Sequence, residues 1–316
     1  MPYPRHNPKF IAHFTIQTLF FTLAALQLTV SCTSIPRHAD IIPAISQQID
    51  NFVPQWQELH TGIELSAGKI KHPRLEFWAL RINLADLNIE IVVNETSEQA
   101  RTENIQSITV SGFAAKYNCI AAINAGPFAP VSTKVGEERI LTGVFVSNGR
   151  QVSPPNPRYS ALLFYNDGHA AVIPQHENID MNRVRNAIGG FYTILENGAL
   201  IERKLLNKTP RRPIRHPRSA AGVSADGNTL YLLLIDGRRL ASVGATEQET
   251  GLLLRALGGD DGILMDGGGS SALALNIDKS IHIINKPVHG GVAGRERAVA
   301  TCIGIRARGT GPYPVW

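Results

Sequence analysis

From Leu230 to Ile235 the chain is apolar or aromatic without interruption, and it then breaks at once into Asp236-Gly237-Arg238. A run this short, closed by a turn signal, reads as a strand. A strand without polar alternation has both faces buried. The chain must therefore build a sheet with something packed on each side. The device recurs at Ile263 to Met265, which runs into Asp266-Gly267-Gly268-Gly269-Ser270-Ser271. Each strand delivers a carboxylate to a turn.

Shorter strand signals surround these two. Leu75 to Leu84 and Asn88 to Val93 alternate partly with period two, and Cys119 to Ile123 is a short buried run. Thr142 to Gly149 enters an Asn-Gly turn, and Leu162 to Tyr165 faces Ala170 to Ile173 across Asn166-Asp167-Gly168. Ala272 to Leu275, Ile281 to Ile284 and Ala298 to Ile305 read as further strands. Helical signals cover Ile108 to Tyr117 and Thr246 to Leu257. Strands outnumber helices without regular alternation. The expected class is α+β, with residues 59–316 as a single domain of mixed, mainly antiparallel β-sheets and a few flanking helices.

The beginning of the chain reads differently. No Asp or Glu precedes Asp40, Arg5 and Lys9 lie in a short polar start, and Phe14 to Val30 is uncharged and mostly apolar. Basic start, apolar stretch and small residues at a cut describe a secretory signal over residues 1–31. The apolar stretch is slightly short for a spanning helix, which needs about 20 residues. Leu28-Thr29-Val30-Ser31-Cys32 resembles a bacterial lipobox, which would make Cys32 a lipidated N-terminus; Thr33 after it favours the outer membrane. An ordinary signal peptide or an uncleaved anchor are the alternatives, and all three export the rest of the chain, here to the periplasm. Residues 32–58 read as a lipid-anchored tether, in which Ile41, Ile45, Ile49, Phe52 and Trp56 recur at helical spacing. Such a short amphipathic helix either covers the main domain or touches a membrane. Three cysteines exclude a disulfide scaffold; Cys119 and Cys302 either pair in an oxidising compartment or stand as two buried thiols.

The net charge of +5 hints at a polyanion partner. Removing Arg5 and Lys9 leaves 29 basic against 26 acidic residues, and residues 203–218 carry seven of the basic ones with no acid: Arg203, Lys204, Lys208, Arg211, Arg212, Arg215 and Arg218. The remaining body is mildly acidic, so the charge is one local basic loop. That loop either is plain solvated surface or grips an anionic polymer. With no aromatic-basic motif and an export signal, nucleic acid is not an expected partner.

The loop from Asp266 to Ser271 is the strongest chemical feature. Its three glycines let backbone N–H groups converge on an anion, and Ser270 and Ser271 add hydroxyl donors. No Lys follows, so it is not a Walker loop, and no HExxH, Cys/His or EF-hand ligand spacing occurs. No metal or cofactor is called for, although Asp260, Asp261 and Asp266 cluster in sequence. Taken alone, each Asp-Gly turn is more ordinary as a turn than as a site, and each Arg as surface charge.

Taken together and in order, the pieces resemble the phosphodiester glycosidase family. Its pattern runs from an I-N-G-G-F-F turn through R-T-A-x-G, D-G-R, a helical Glu and L-D-G-G-G-S-S to a late E-R. Here Ile123-Asn124 and Phe128 fit the first piece, and Arg218-Ser219-Ala220-Ala221-Gly222 the second. Asp236-Gly237-Arg238, Glu249, Asp266 to Ser271 and Glu296-Arg297 come next. Ala125 and Pro127 stand where the family usually carries Gly and Phe, and Thr250-Gly251 comes after Glu249 in place of Leu-Ala.

The resemblance implies a hydrolase that cleaves the glycosidic bond of a sugar-1-phosphodiester in an envelope or extracellular glycan. Glycoside cleavage usually takes two carboxylates. Asp236 and Asp266 are the expected pair, with Glu249 either a third or a helix cap. Arg218, Arg238 and Arg297, with Gly267, Gly268, Gly269, Ser270 and Ser271, would hold the phosphate. Asn124 would hydrogen-bond sugar or phosphate. The alternative is a non-catalytic envelope lipoprotein that binds an anionic glycan or polymer on the same scaffold. The intact pair of Asp-bearing loops favours the enzyme, product analysis after incubation with a sugar phosphodiester separates the two, and scatter of the candidate residues over the surface would exclude the catalytic reading.

Overall fold

A computed structural model describes residues 48–49, 52–96, 104–201 and 214–309, all within one compact unit, His38–Trp316. The signal segment, Cys32 and most of the tether lie outside the described residues. So do Arg203, Lys204, Lys208, Arg211 and Arg212 of the basic loop.

The apolar run becomes strand Thr229–Ile235, fourth in an eight-stranded sheet. The order is Gln57–His60, Ile63–Ile70, Leu75–Asn83, Thr229–Ile235, Arg218–Val223, Asp261–Leu264, Tyr192–Glu196 and Ala199–Leu200. Leu230, Leu232 and Leu234 enter one apolar cluster, while Tyr231, Leu233 and Ile235 enter another on the opposite face. Burial on both sides is what the unbroken run encodes. The first cluster also holds helix α1, Val110–Lys116, and residues of two five-stranded sheets. The second holds helix α2, Glu247–Ala256, through Leu252, Leu253 and Leu254. Ile49 is fully buried in that second cluster, with Phe52 and Trp56 packed against it. The end of the expected tether therefore covers the main domain.

One five-stranded sheet runs Arg150–Ser153, Phe145–Ser147, Val184–Gly190, Ser160–Tyr165, Ala170–Pro174; the other runs Ser280–Ile283, Leu273–Ile277, Ala121–Asn124, Cys302–Ala307, Ile89–Val93. The Asn148-Gly149 turn has positive φ at both residues, the geometry that matches strand twist in a two-residue hairpin. Among the described residues every named strand pairing is antiparallel, and a parallel contact occurs only as the isolated bridge Val288 to Arg295. The fold is thus more β-rich and more uniformly antiparallel than the mixed α+β expectation. Cys119 and Cys302 are both buried and free, which selects the two-thiol alternative. Burial pushes the Cys119 thiol up to about 12.

Candidate active site

Pairing geometry brings the strand ends together. Strand Arg218–Val223 lies between the two carboxylate-bearing strands, with Arg218 opposite Ile235 and Ala220 opposite Leu264. Arg218, Asp236 and Asp266 therefore emerge at one end of the large sheet. Asn124 joins them from the neighbouring sheet. It is fully buried, its Oδ1 accepts from Ser219 Oγ (2.7 Å) and Ala272 N (3.2 Å), and its Nδ2 donates to the Asp266 carbonyl (2.6 Å). With its acceptor saturated, Asn124 ties two sheets together behind Asp266.

Asp236 and Asp266 have opposite surroundings. The Asp236 carboxylate is 1% exposed and accepts from Arg239 Nη2 (2.5 Å), Asn285 Nδ2 (3.0 Å) and the Lys286 N–H (3.2 Å). Arg239 also binds Glu76 (2.7 Å). Both oxygens of Asp236 are engaged in holding three segments of chain. Asp266 is only partly enclosed by residues that neutralise it. Burial raises its carboxyl to about 6, against the downward pull of a hydrogen bond from Ser270, the Arg297 charge and the Gly267 N–H. Asp260 and Asp261 lie at the start of the strand that runs into Asp266, so the acidic cluster in the sequence is split between its two ends.

Three N–H groups of the glycine loop are taken within the protein. The Gly267 N–H turns to Asp266, the Gly268 N–H donates to Pro217 O (2.8 Å) and the Ser270 N–H to Gly267 O (3.2 Å). The glycines serve close approach instead. A Cβ on Gly268 would lie 2.9 Å from Arg238 Nη2, and one on Gly269 would lie 2.6 Å from Arg297 Nη2 and 2.9 Å from His289 Nδ1. Two guanidinium groups thus rest on the loop beside Asp266. Ser270 accepts from Arg297 Nη1 (3.1 Å), whereas Ser271 is buried and its carbonyl accepts from Asn285 Nδ2 (3.1 Å).

The three expected site arginines share one property. Arg218 donates to the carbonyls of Ala245 (3.0 Å) and Ile214 (3.1 Å), Arg238 to that of Val288 (3.3 Å), and Arg297 to Ser270 Oγ and His289 Nδ1 (3.0 Å). All these acceptors are neutral. Arg81, Arg215, Arg239 and Arg306 instead grip Glu64, Glu249, Glu76 with Asp236, and Glu90. Arg238 also adopts φ of +59°, a strained conformation for a side chain other than Gly.

Glu249 stands apart from this group. It caps helix α2 in a reciprocal box with Thr246 and takes Arg215 bidentately at 2.6 and 2.5 Å. The basic loop is therefore neutralised at Arg215. Glu296 accepts from Ser111 N (3.1 Å) and Ser111 Oγ at the start of α1, which aims the next residue, Arg297, at the loop.

Two histidines escaped the sequence reading. Burial lowers the pKa of His216, with Arg218 and Arg238 adding to it. Burial likewise lowers that of His289, with Arg297, Arg295 and Arg238 adding to it. His216 sits between Arg215 and Arg218 in the basic stretch, and the fold adds Arg238; His289, before Gly290-Gly291, carries no spacing signal, and only the fold brings it to Arg238.

A family model described as phosphodiester glycosidase matches residues 117–306. The chain is 38% identical over 92 residues to the SPbeta prophage-derived uncharacterized protein YomE of Bacillus subtilis. That stretch is 29% of this chain and only 13% of YomE. The structure resembles the catalytic domain of zebrafish N-acetylglucosamine-1-phosphodiester alpha-N-acetylglucosaminidase, auto-inhibited by its pro-peptide, with TM-score 0.56 and 19% identity, covering 81% of this chain and 88% of that one. A hypothetical protein from Synechocystis gives TM-score 0.56 and 14% identity over 82% of this chain and 64% of its own. At such identities these likenesses show the fold. The family model spans more than half of the sequence and contains every element of the cationic cluster around Asp266: the chain belongs to the phosphodiester glycosidase family.

Proposed function

We propose that the protein hydrolyses the glycosidic bond of a sugar-1-phosphodiester in a glycan of the cell envelope or extracellular space. The observation that carries this reading is a carboxyl with its pKa raised to about 6, Asp266, set beside arginines held only by neutral acceptors. Guanidinium groups whose hydrogen bonds go to neutral acceptors suit a phosphate. Asp266 takes a proton from water as the water attacks the anomeric carbon. The bond from that carbon to the bridging oxygen breaks, and the electron pair leaves on the phosphate. A phosphate monoester has a second pKa of about 6, so it departs without a strong acid. One carboxylate then does what ordinary glycoside cleavage divides between two. In this reading Asp236 and Asn124 frame the site, and Glu249 frames helix α2 and Arg215.

Incubation with a sugar-1-phosphodiester whose other ester is an aryl or uridine-nucleotide group, with product analysis, tests it. Free sugar and the matching phosphate product support the reading. Tight binding without turnover would instead support the non-catalytic glycan-binding lipoprotein.

The envelope setting is proposed from residues 1–32: export, and a lipid anchor on Cys32 in the periplasmic face of the outer membrane. Incorporation of labelled fatty acid into the protein, lost in Cys32→Ser, checks the anchor.

A further inference from the structure

The contact between His289 and Arg297 bears on how the site holds charge. Arg297 donates Nε to His289 Nδ1 at 3.0 Å and Nη1 to Ser270 Oγ at 3.1 Å. A guanidinium has no acceptor, so Nδ1 must carry the lone pair and His289 must be neutral with its proton on Nε2. The charged groups acting on His289 are Arg297, Arg295 and Arg238, all cations, and the residue is 9% exposed. Burial and those three charges hold the imidazole neutral. At Arg215 and Arg81 a carboxylate does the orienting instead, Glu249 and Glu64 respectively, and neutralises the cation as it does so.

Resting on the proposed phosphate site beside Asp266, we propose that His289 is a positioning residue that fixes Arg297 over Gly269 without adding a negative charge of its own, so that Asp266 is the one carboxylate with which a phosphate shares that cation.

At position 289 acceptor strength and charge are separable. Asn at 289 offers an amide oxygen near the place of Nδ1 and no charge. Asp offers the same acceptor with a negative charge. Leu fills similar space with neither. Sulfate binding to the whole protein, measured by calorimetry at pH 7.5, needs no turnover. The expected result is that His289→Asn stays within about threefold of the wild type, whereas His289→Leu and His289→Asp each weaken sulfate by about tenfold or more. In an Arg297→Gln background the three substitutions should change affinity little further, because the interaction being removed is already absent.

A purely structural role would make Asp at least as good as Asn, since it accepts the same hydrogen bond more strongly. Equal affinity of His289→Asp and His289→Asn overturns the proposal, and so does a loss for His289→Leu that persists unchanged without Arg297. Absence of sulfate binding in every variant and in the wild type overturns the anion site itself, and with it the proposed hydrolase. Detectable wild-type binding with the wrong order of variants overturns only the role of His289.

Discussion

Asp266 and Asp236 look alike in the sequence: each ends an apolar strand, and each is followed by Gly. Their partners separate them. Arg239 is close in sequence to Asp236, but Asn285 and Lys286 lie some fifty residues away, beyond the reach of any local pattern. Asn124 is opaque for the same reason; that its Oδ1 is taken by Ser219 and Ala272 is visible only in the fold.

The raised pKa of Asp266 has a signature in stability. Below about pH 3 the carboxyl is protonated both folded and unfolded. As pH rises towards 6 the unfolded chain ionises first, so stability falls, by on the order of 3 kcal/mol in total once both states are ionised. Asp266→Asn removes that ionisation. The gain in stability of the variant over the wild type should therefore grow between about pH 3 and about pH 6 and then level off, as denaturant titrations across that range would read. A constant difference would show that Asp266 titrates normally.

At the scale of elements, the glycine-rich turn is legible in the sequence as a special loop, but its purpose is not. Three of the backbone donors expected to face a ligand, those of Gly267, Gly268 and Ser270, face Asp266, Pro217 O and Gly267 O instead. What the glycines permit is the approach of Arg238 and Arg297. Gly269→Ala puts a methyl 2.6 Å from Arg297 Nη2, so the guanidinium must move. The expected outcome is a loss of anion affinity of about tenfold or more with the melting curve only modestly shifted, since charge-assisted contacts are worth about 1.5–3 kcal/mol. Unchanged sulfate affinity in this variant would contradict that account.

Helix α2 is visible from its periodicity and its capping signature. Glu249, in the capping box, serves both that signature and the family pattern. Glu249→Ala removes a cap and leaves Arg215 without its partner, and should lower stability by about 2 kcal/mol. Chemical denaturation measures it, and a change below about 0.5 kcal/mol would mean that the cap and ion pair contribute little.

For the whole molecule, the unbroken run in Thr229–Ile235 foretells a sheet covered on both faces, and two apolar clusters sit there. The order of eight strands is not legible. Strand Leu75–Asn83 pairs with Thr229–Ile235 across about 150 residues, and nothing in either segment specifies the other beyond complementary apolar faces. The N-terminal stretch reads as a tether, but Ile49 is a fully buried part of the second cluster. Ile49→Ala should cost about 2–4 kcal/mol, as core truncations do. A shift near zero would return that segment to the role of a linker.

A glycosidase is defined by which bond breaks. Cleavage at the anomeric carbon and cleavage at phosphorus on the same bridging oxygen yield the same two products, and only the origin of one oxygen differs. Hydrolysis of a sugar-1-phosphodiester in water carrying heavy oxygen, followed by mass spectrometry of the released phosphate monoester, distinguishes them. With Asp266 activating water against the sugar, the phosphate monoester carries no heavy oxygen, and its release falls by about 10²–10⁴-fold in Asp266→Asn. Heavy oxygen in the phosphate would place the attack at phosphorus and contradict the glycosidase account.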